Sequence, residues 1–488
     1  MKKILLLILI LAPAIWAGAT WFTSQNTEAV LDDMLAQSNQ QISETVPFLT
    51  IEKKSFDKGF TQSAAQSVIT IDPAFFGNKE MPPITIGFNH TIYHGPLMMT
   101  PNGIKTGSSY ILTTLDQASL SEEVQSIITT LFGDEEPFVS GVTTGTGDMI
   151  DTDVTFAPFS INAAQIAEFT GEDLGEEQFE FSFDGITGDF TSNVEGTIIN
   201  GVMKLGEINI KGNDGDDIDI NFTMAPSTID MDVDEFYKSS ILDGKITMTI
   251  PSFLFSDGKG TDVIFKDLYI VSSAEHDNGL MNASAIFDID TVHIKSSEAG
   301  FNFPDSKVHM KGSISGIERT AVIKLIDLEQ EMNMSQMSML SGDDAEIMSD
   351  EILSSMLAYY RALGDIIKQG VNTQSVLEIS NETGNAAVHL DLNYTDAKQL
   401  FALKTVKELA LALQGSLAIT IDKSMLTGTP LEEVIAMPIM MGFAVEKEER
   451  YESIANLNAG ELLLNGQPVP FLDMIGDEPL AWDEIFGM

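Results

Sequence analysis

Strict alternation of apolar and polar residues through much of the stretch from Thr61 to Leu325 is the constraint that any fold of this chain must satisfy. From Asp217 to Met224 the two classes alternate through eight positions. Phe179, Phe181 and Phe183 are interleaved with Glu180 and Ser182, and Ile246, Met248 and Ile250 with Lys245, Thr247 and Thr249. Successive side chains of a strand point to opposite faces, so the pattern gives each strand one wet and one buried face, as in antiparallel sheets. Asp184-Gly185, Asn200-Gly201, Asn213-Asp214-Gly215, Asp243-Gly244 and Asp257-Gly258 punctuate the runs. Such pairs supply the positive φ of tight hairpins and are predicted as turns. The runs follow no fixed period of the kind that marks a solenoid or propeller.

Helical spacing appears in a few places. Glu28 to Ile42 carries Leu31, Met34, Leu35 and Ile42, ahead of Pro47. Ser121 is placed to cap a helix whose stripe is Val124, Ile127, Ile128 and Leu131. The texture changes near Ile326. Asp343 and Glu346 form a capping-box pattern. Met348, Ile352, Met356, Tyr360, Leu363 and Ile367 then follow at steps of three and four, with Lys368 and Gly370 closing the helix. A further helix is predicted over Asp396 to Leu413. Strands are predicted around Val388 to Tyr394 and Leu417 to Ile421, and a hairpin over Tyr451 to Phe471 with its turn at Asn465-Gly466. The expected fold is α+β and β-dominated: an N-terminal transmembrane helix, extended antiparallel sheet, and a few amphipathic helices on one face. The expected segments are 1–23, 24–325 and 326–488.

The N-terminus reads as an export or anchor segment. Lys2 and Lys3 precede an uncharged run from Ile4 to Phe22, and Glu28, Asp32 and Asp33 follow it. About 20 apolar residues span a bilayer as helix. The positive-inside rule then places the N-terminus in the cytoplasm and the body outside. Trp16 and Trp21 suit an interface belt. The alternative is a signal peptide cleaved after Ala17-Gly18-Ala19. The localisation expected from the anchor reading is the inner membrane, single-pass, with the body in the periplasm.

Charge and composition exclude several functions. The 73 acidic against 26 basic residues give a net charge of −47, which argues against a phosphate-binding surface and hence against nucleic acid. The chain has no cysteine, which rules out disulfides, thiolate zinc sites and cysteine nucleophiles. His90 and His94 share a strand face, but a zinc site needs a third ligand that the sequence does not place nearby. Asn213-Asp214-Gly215-Asp216-Asp217 resembles a calcium loop, yet Asp219 stands where that loop requires glycine. No nucleophile elbow, phosphate loop, H-E-x-x-H or dinucleotide motif is present. No cofactor and no catalytic residue is therefore expected. Methionines cluster at Met332, Met334, Met337 and Met339 and again at Met437, Met440 and Met441. Methionine adapts to irregular apolar partners. A groove lined by Met348, Ile352, Met356 and Tyr360 is one expectation, and a plain core helix the other.

Four segments carry a family resemblance: the apolar N-terminus; Phe56-Asp57-Lys58-Gly59-Phe60-Thr61-Gln62-Ser63-Ala64; Ile92-Tyr93-His94-Gly95-Pro96; and Gly460-Glu461-Leu462-Leu463-Leu464-Asn465-Gly466-Gln467-Pro468-Val469. In order along the chain, these resemble the YdgA family of bacterial proteins. Members of that family usually carry Tyr and Arg where this chain has Phe56 and Lys58. The resemblance implies a membrane-anchored periplasmic protein and supplies no catalytic residues. The expected function is a non-enzymatic envelope protein that binds an apolar ligand, such as a lipid, or another envelope protein. A hydrolase acting on an envelope component and a structural spacer are the alternatives.

Overall fold

The computed structural model describes residues 19–33, 35–36, 39, 46, 48–73, 82–144, 148–170, 178–213, 219–238, 240–297, 301–339, 345–427 and 431–480. The chain divides into two compact units, one built mainly from residues 1–210 and the other mainly from residues 239–332 and 349–488.

The first unit begins with helix α1, over 19–33. Its strands are β1 (Leu49–Asp57), β2 (Gln62–Ile71), β3 (Ile84–His94), β4 (Leu97–Thr100), β5 (Gly103–Thr106), β6 (Ser109–Leu115), β7 (Phe138–Thr144), β8 (Met149–Phe156), β9 (Phe159–Asn162), β10 (Gln178–Phe183), β11 (Ile186–Asn193) and β12 (Ile199–Leu205). Antiparallel pairing runs β1-β2-β3-β6-β7-β8-β11-β12. The predicted Ser121 cap forms: its side chain accepts from the Val124 N–H at the start of α2 (Glu122–Phe132). The stripe of α2 is only half covered, with Val124 itself exposed. Phe132 at its end packs on Phe156 and Phe159, and Phe159 on Phe181 and Phe183. The three interleaved aromatics of β10 thus share one face, as their alternation requires.

The second unit is one antiparallel succession. β13 (Ile208–Asn213) leads into it, and β15 (Ser227–Tyr237) belongs to the first unit; the strands of the second unit are β14 (Asp219–Met224), β16 (Ser240–Ser256), β17 (Thr261–Asp277), β18 (Leu280–Ser296), β19 (Phe301–Glu318), β20 (Asn372–Asn381), β21 (Gly384–Tyr394), β22 (Leu413–Asp422), β23 (Val445–Glu446), β24 (Arg450–Asn458), β25 (Glu461–Leu464) and β26 (Gln467–Val469). β14 pairs with β16, and pairing then continues in order from β16 to β22, and on to β24, β25 and β26. Asn278-Gly279 and Asn465-Gly466 turn two hairpins with positive φ at both residues (51° and 81°; 53° and 79°).

Several predicted elements are corrected. Asn200-Gly201 is not a turn. Gly201 lies inside β12, where a β-carbon would come within 2.3 Å of the Asp189 carbonyl oxygen. Asp243-Gly244 likewise lies within β16, with Gly244 at φ +121°. Helix α3 (Ala163–Thr170) follows β9, and helix α4 (Arg319–Met339) begins directly after β19, ahead of the expected change near Ile326. The predicted helix over Asp396 to Leu413 is shorter: Thr405 caps Val406–Ala412, and Leu413 is already extended. The Glu408 N–H donates to Thr405 Oγ1 at 3.1 Å, and the Glu408 carboxylate accepts from the N–H of Lys404, one residue before the cap, at 2.5 Å. The helix predicted from Glu28 is already formed over residues 19–27. Asp343 and residues 214–218 lie outside the described residues.

The structure also corrects the expected membrane anchor. Among the described residues, no helix is long and apolar enough to cross a membrane. Of the apolar run, Ile4 to Gly18 lie outside the described residues, and α1, which covers its last four residues, docks on its own unit. Thr20, Ser24, Thr27 and Leu31, spaced four, three and four apart, are all at most 5% exposed. Leu31 packs with Ala65, Ile92 and Ile111, and Ser24 Oγ donates to the Gly59 carbonyl at 2.6 Å. Of this hydroxyl-bearing face only Thr20 falls within the apolar run; Ser24 and Thr27 follow it. The transmembrane helix of the expected fold, the membrane-anchored function, the membrane as a partner and the single-pass inner-membrane placement are withdrawn with it. Trp21 is 57% exposed on the outer face of α1. Lys2, Lys3 and Trp16 lie outside the described residues.

Candidate apolar binding site

Cross-strand register in the second unit aligns three neighbouring rows on one sheet face. The central row is Met248, Ile270, Phe287, Met310, Leu377, Val388 and Ile419. On one side run Ile250, Leu268, Ile289, Val308, Ile379, Ala386 and Ile421. On the other run Ile246, Ser272, Ala285, Gly312, Ser375, Leu390 and Leu417. None of these residues is charged. Seven strands at about 4.8 Å spacing make an uncharged track about 29 Å long. The reverse face is mixed over the same strands: one row carries Thr247, Val271, Ile286, Lys311, Val376 and His389 in register, and the row beside it is polar. Lys245, Ser273, Ser284, Ser313, Gln374 and Asp391 follow one another in register there, and Ser273 and Ser284 hydrogen-bond at 2.8 Å.

The track is open at its middle. Ile250 and Ile289 are buried, whereas Met310 is 45% exposed. A cavity of about 330 Å³ lies over β18–β21 and is lined by Ala285, Ile286, Phe287, Met310, Gly312, Ser375, Val376, Leu377 and Val388, with Lys311 as its one charged residue. Its depth comes from the row of small side chains. A β-carbon at Gly312 would meet nothing within 4 Å. The volume is at the lower end of the roughly 300–1,000 Å³ of ligand pockets. Its lining offers burial, worth about 0.8 kcal/mol per buried methylene. It presents no carboxylate, imidazole or phenol to a bound molecule.

Two motifs behind the family resemblance meet elsewhere, in the first unit. His94 is 1% and Ser63 2% exposed. His94 Nε2 lies 2.7 Å from Ser63 Oγ and Nδ1 3.1 Å from Thr27 Oγ1, while the Gly59 N–H donates to Ser63 Oγ at 3.1 Å. A β-carbon on Gly95, at φ +112°, would lie 2.3 Å from Thr20 Oγ1, so glycine makes room for α1. Lys58 Nζ donates to Gln25 Oε1 at 2.8 Å, tying the second motif to the same helix. The Ser63–His94 pair does not support the hydrolase alternative: it is sealed from solvent, and its third partner is a threonine rather than a carboxylate. His90, one turn of the pleat away, bonds Ser67 Oγ at 2.7 Å and Thr113 Oγ1 at 2.9 Å. Burial pushes its pKa down to about 4, and burial followed by the Lys58 charge lowers that of His94. Both rings are therefore neutral donor–acceptors. Among the described residues, no three His, Asp or Glu side chains are grouped to hold a metal ion.

The residues expected to line a groove sit on α5 (Ala345–Ile366). Met356 and Tyr360 are half-buried, and Tyr360 packs on the Tyr359 ring at 5.9 Å. The side chains of Met348 and Ile352 lie outside the described residues. The cavity on the sheet is lined by none of the four. Of the second methionine cluster, Met437, Met440 and Met441 are 63%, 82% and 61% exposed. Asn465 Nδ2, at the turn of the closing hairpin motif, donates to the carbonyls of Gly442 and Phe443 beside that cluster, at 3.2 Å each. The track itself went unread in the sequence because its continuity depends on register across seven strands.

Comparison with known proteins agrees with the resemblance. The chain is 21% identical to Protein YdgA of Escherichia coli (strain K12), over 96% of this chain and 95% of that protein. It is 24% identical to the uncharacterized protein YihF of the same organism, over 41% of each chain. No solved structure matches. A family profile described as bacterial protein of unknown function (DUF945) matches residues 1–471, and the chain belongs to that family.

Proposed function

We propose that this chain is a non-enzymatic binding protein whose second unit holds the alkyl chain of a lipid along the uncharged track. The observation that carries the reading is the open cavity over Gly312, set in an uncharged face seven strands wide. An alkyl chain is the occupant that matches it: long, narrow and without charge, it makes no demand for hydrogen bonds that the lining does not offer. Met310 is exposed and Gly312 has open space on the track face, which leaves room there for the ligand.

Gly312→Leu tests the reading. The position has open space and no positive φ, so the substitution fills the notch without strain. Displacing two methylenes of ligand at about 0.8 kcal/mol each weakens binding of a fluorescent long-chain fatty acid about tenfold. Met440→Ala, at the exposed methionine cluster, leaves affinity unchanged. Equal affinity in the parent and Gly312→Leu would place the ligand elsewhere.

A further inference from the structure

The buried histidine under α1 has a proton arrangement that only one charge state satisfies. The Thr27 hydroxyl donates to the Thr23 carbonyl at 2.7 Å, so its oxygen is left to accept from His94 Nδ1–H. Nε2 is then bare and accepts from the Ser63 hydroxyl, whose oxygen accepts from the Gly59 N–H. Each polar atom of the chain Thr23–Thr27–His94–Ser63–Gly59 has its partner, and the imidazole is neutral. A proton arriving from solvent at Nε2 turns that acceptor into a donor facing an O–H that already points at it. Ser63 must rotate its proton away, and the Gly59 carbonyl is already engaged by Ser24.

The surroundings do not compensate the new charge. α1 presents Thr20, Ser24 and Thr27, β2 presents Ser63, and β6 presents Ser109, which is paired with His94 in register. The link between β1 and β2 presents Lys58, a cation, whose charge together with burial already disfavours the imidazolium. The acidic residues of α1 are turned elsewhere: Glu28 and Asp32 both bond Lys53 on β1, and Asp33 is exposed. Thr20 Oγ1, also buried under α1, has no hydrogen-bond partner, so this end of the helix holds on through few polar contacts.

We propose that His94 is the bolt of an acid-sensitive latch, holding α1 on the β2–β3 face when neutral and releasing it when protonated. Release uncovers the apolar patch of Ala65, Ile92 and Ile111 beneath Leu31. The sign follows from linkage. A histidine whose pKa is lowered by docking contributes its full stabilisation above its ordinary value near 6.5, and loses it as pH falls below that value.

Hydrogen–deuterium exchange of the peptide covering 19–33, corrected for the intrinsic pH dependence of exchange, tests this in the full chain. In the parent, protection of that peptide falls severalfold between pH 7.5 and pH 5 and recovers on neutralisation, while β7 and β8 keep theirs. In His94→Gln, which retains a donor and an acceptor but does not titrate, the fall disappears. His90→Gln leaves it in place. Lys58→Gln covers the case in which His94→Gln does not fold: with the neighbouring cation removed, the fall is smaller than in the parent. Unchanged protection in the parent, or an equal fall in His94→Gln or in Lys58→Gln, overturns the latch.

Discussion

The clearest energetic consequence of the first unit lies at His90. Its ring is held between Ser67 and Thr113, and burial pushes its pKa down to about 4 from an ordinary value near 6.5. At 1.36 kcal/mol per unit, that difference amounts to about 3 kcal/mol of stability in the neutral state. The figure is a ceiling, because the ring is half-buried rather than sealed. Because the folded value is the lower one, the unfolded chain takes up the proton first. The stabilisation is complete above about pH 6.5, drains away as pH falls toward about 4, and changes little below that. Titrating the imidazole Cε1–H resonances by NMR measures the folded value, with the His90 signal assigned by its loss in His90→Gln. Urea midpoints of the parent and of His90→Gln then measure the linked stability. The gap between the two proteins should narrow as pH falls from 6.5 to 4. A His90 resonance titrating near 6.5, or a gap that does not change with pH, would refute the assignment of that stability to the buried neutral ring.

Other substitutions follow from packing. Leu31→Ala, which empties the contact of α1 with Ala65, Ile92 and Ile111, costs about 2–5 kcal/mol by thermal unfolding, while Trp21→Ala on the exposed face costs within about 0.5 kcal/mol. Phe181→Asp puts an unpaired charge into the aromatic cluster with Phe159 and destabilises strongly, whereas Glu180→Lys, exposed one residue away, changes stability by about 0.5 kcal/mol or less. Gly201→Ala meets the Asp189 carbonyl and costs about 1–3 kcal/mol, but Gly312→Ala meets nothing and is neutral or stabilising by about 0.4–1 kcal/mol. Unequal unfolding temperatures of the two alanine variants, in that order, check the difference between a tight glycine and an open one.

How much of this was legible in the sequence depended on the range of the interaction. The alternation at Ile246, Met248 and Ile250 is a local property of one strand, and it assigns their shared face directly. The Ser121 cap and the Asn465-Gly466 turn are also local, and both form. Asn200-Gly201 misleads because the same dipeptide that favours a turn also lets Phe190 and its backbone approach closely. The start of α4 is hidden because the short segment Val322-Ile323-Lys324-Leu325-Ile326 fits a strand as well as a helix. The uncharged track is not local at all. Ala285, Gly312 and Ser375 are unremarkable singly, and they form the cavity floor only because β18, β19 and β20 pair in one register. The docking of α1 was hidden because the hydroxyls of Ser24 and Thr27 have partners 35 and 67 residues away, at Gly59 and His94.

The most direct test of an alkyl-chain site on the second unit is photo-crosslinking with a diazirine-bearing long-chain fatty acid, followed by peptide mapping. Labels should fall on β18–β21, at Phe287, Met310, Leu377 and Val388, and should be competed by unlabelled fatty acid and reduced in Gly312→Leu. Labelling confined to the exposed Met437, Met440 and Met441, or spread over the chain without competition, would contradict an alkyl-binding track on this sheet.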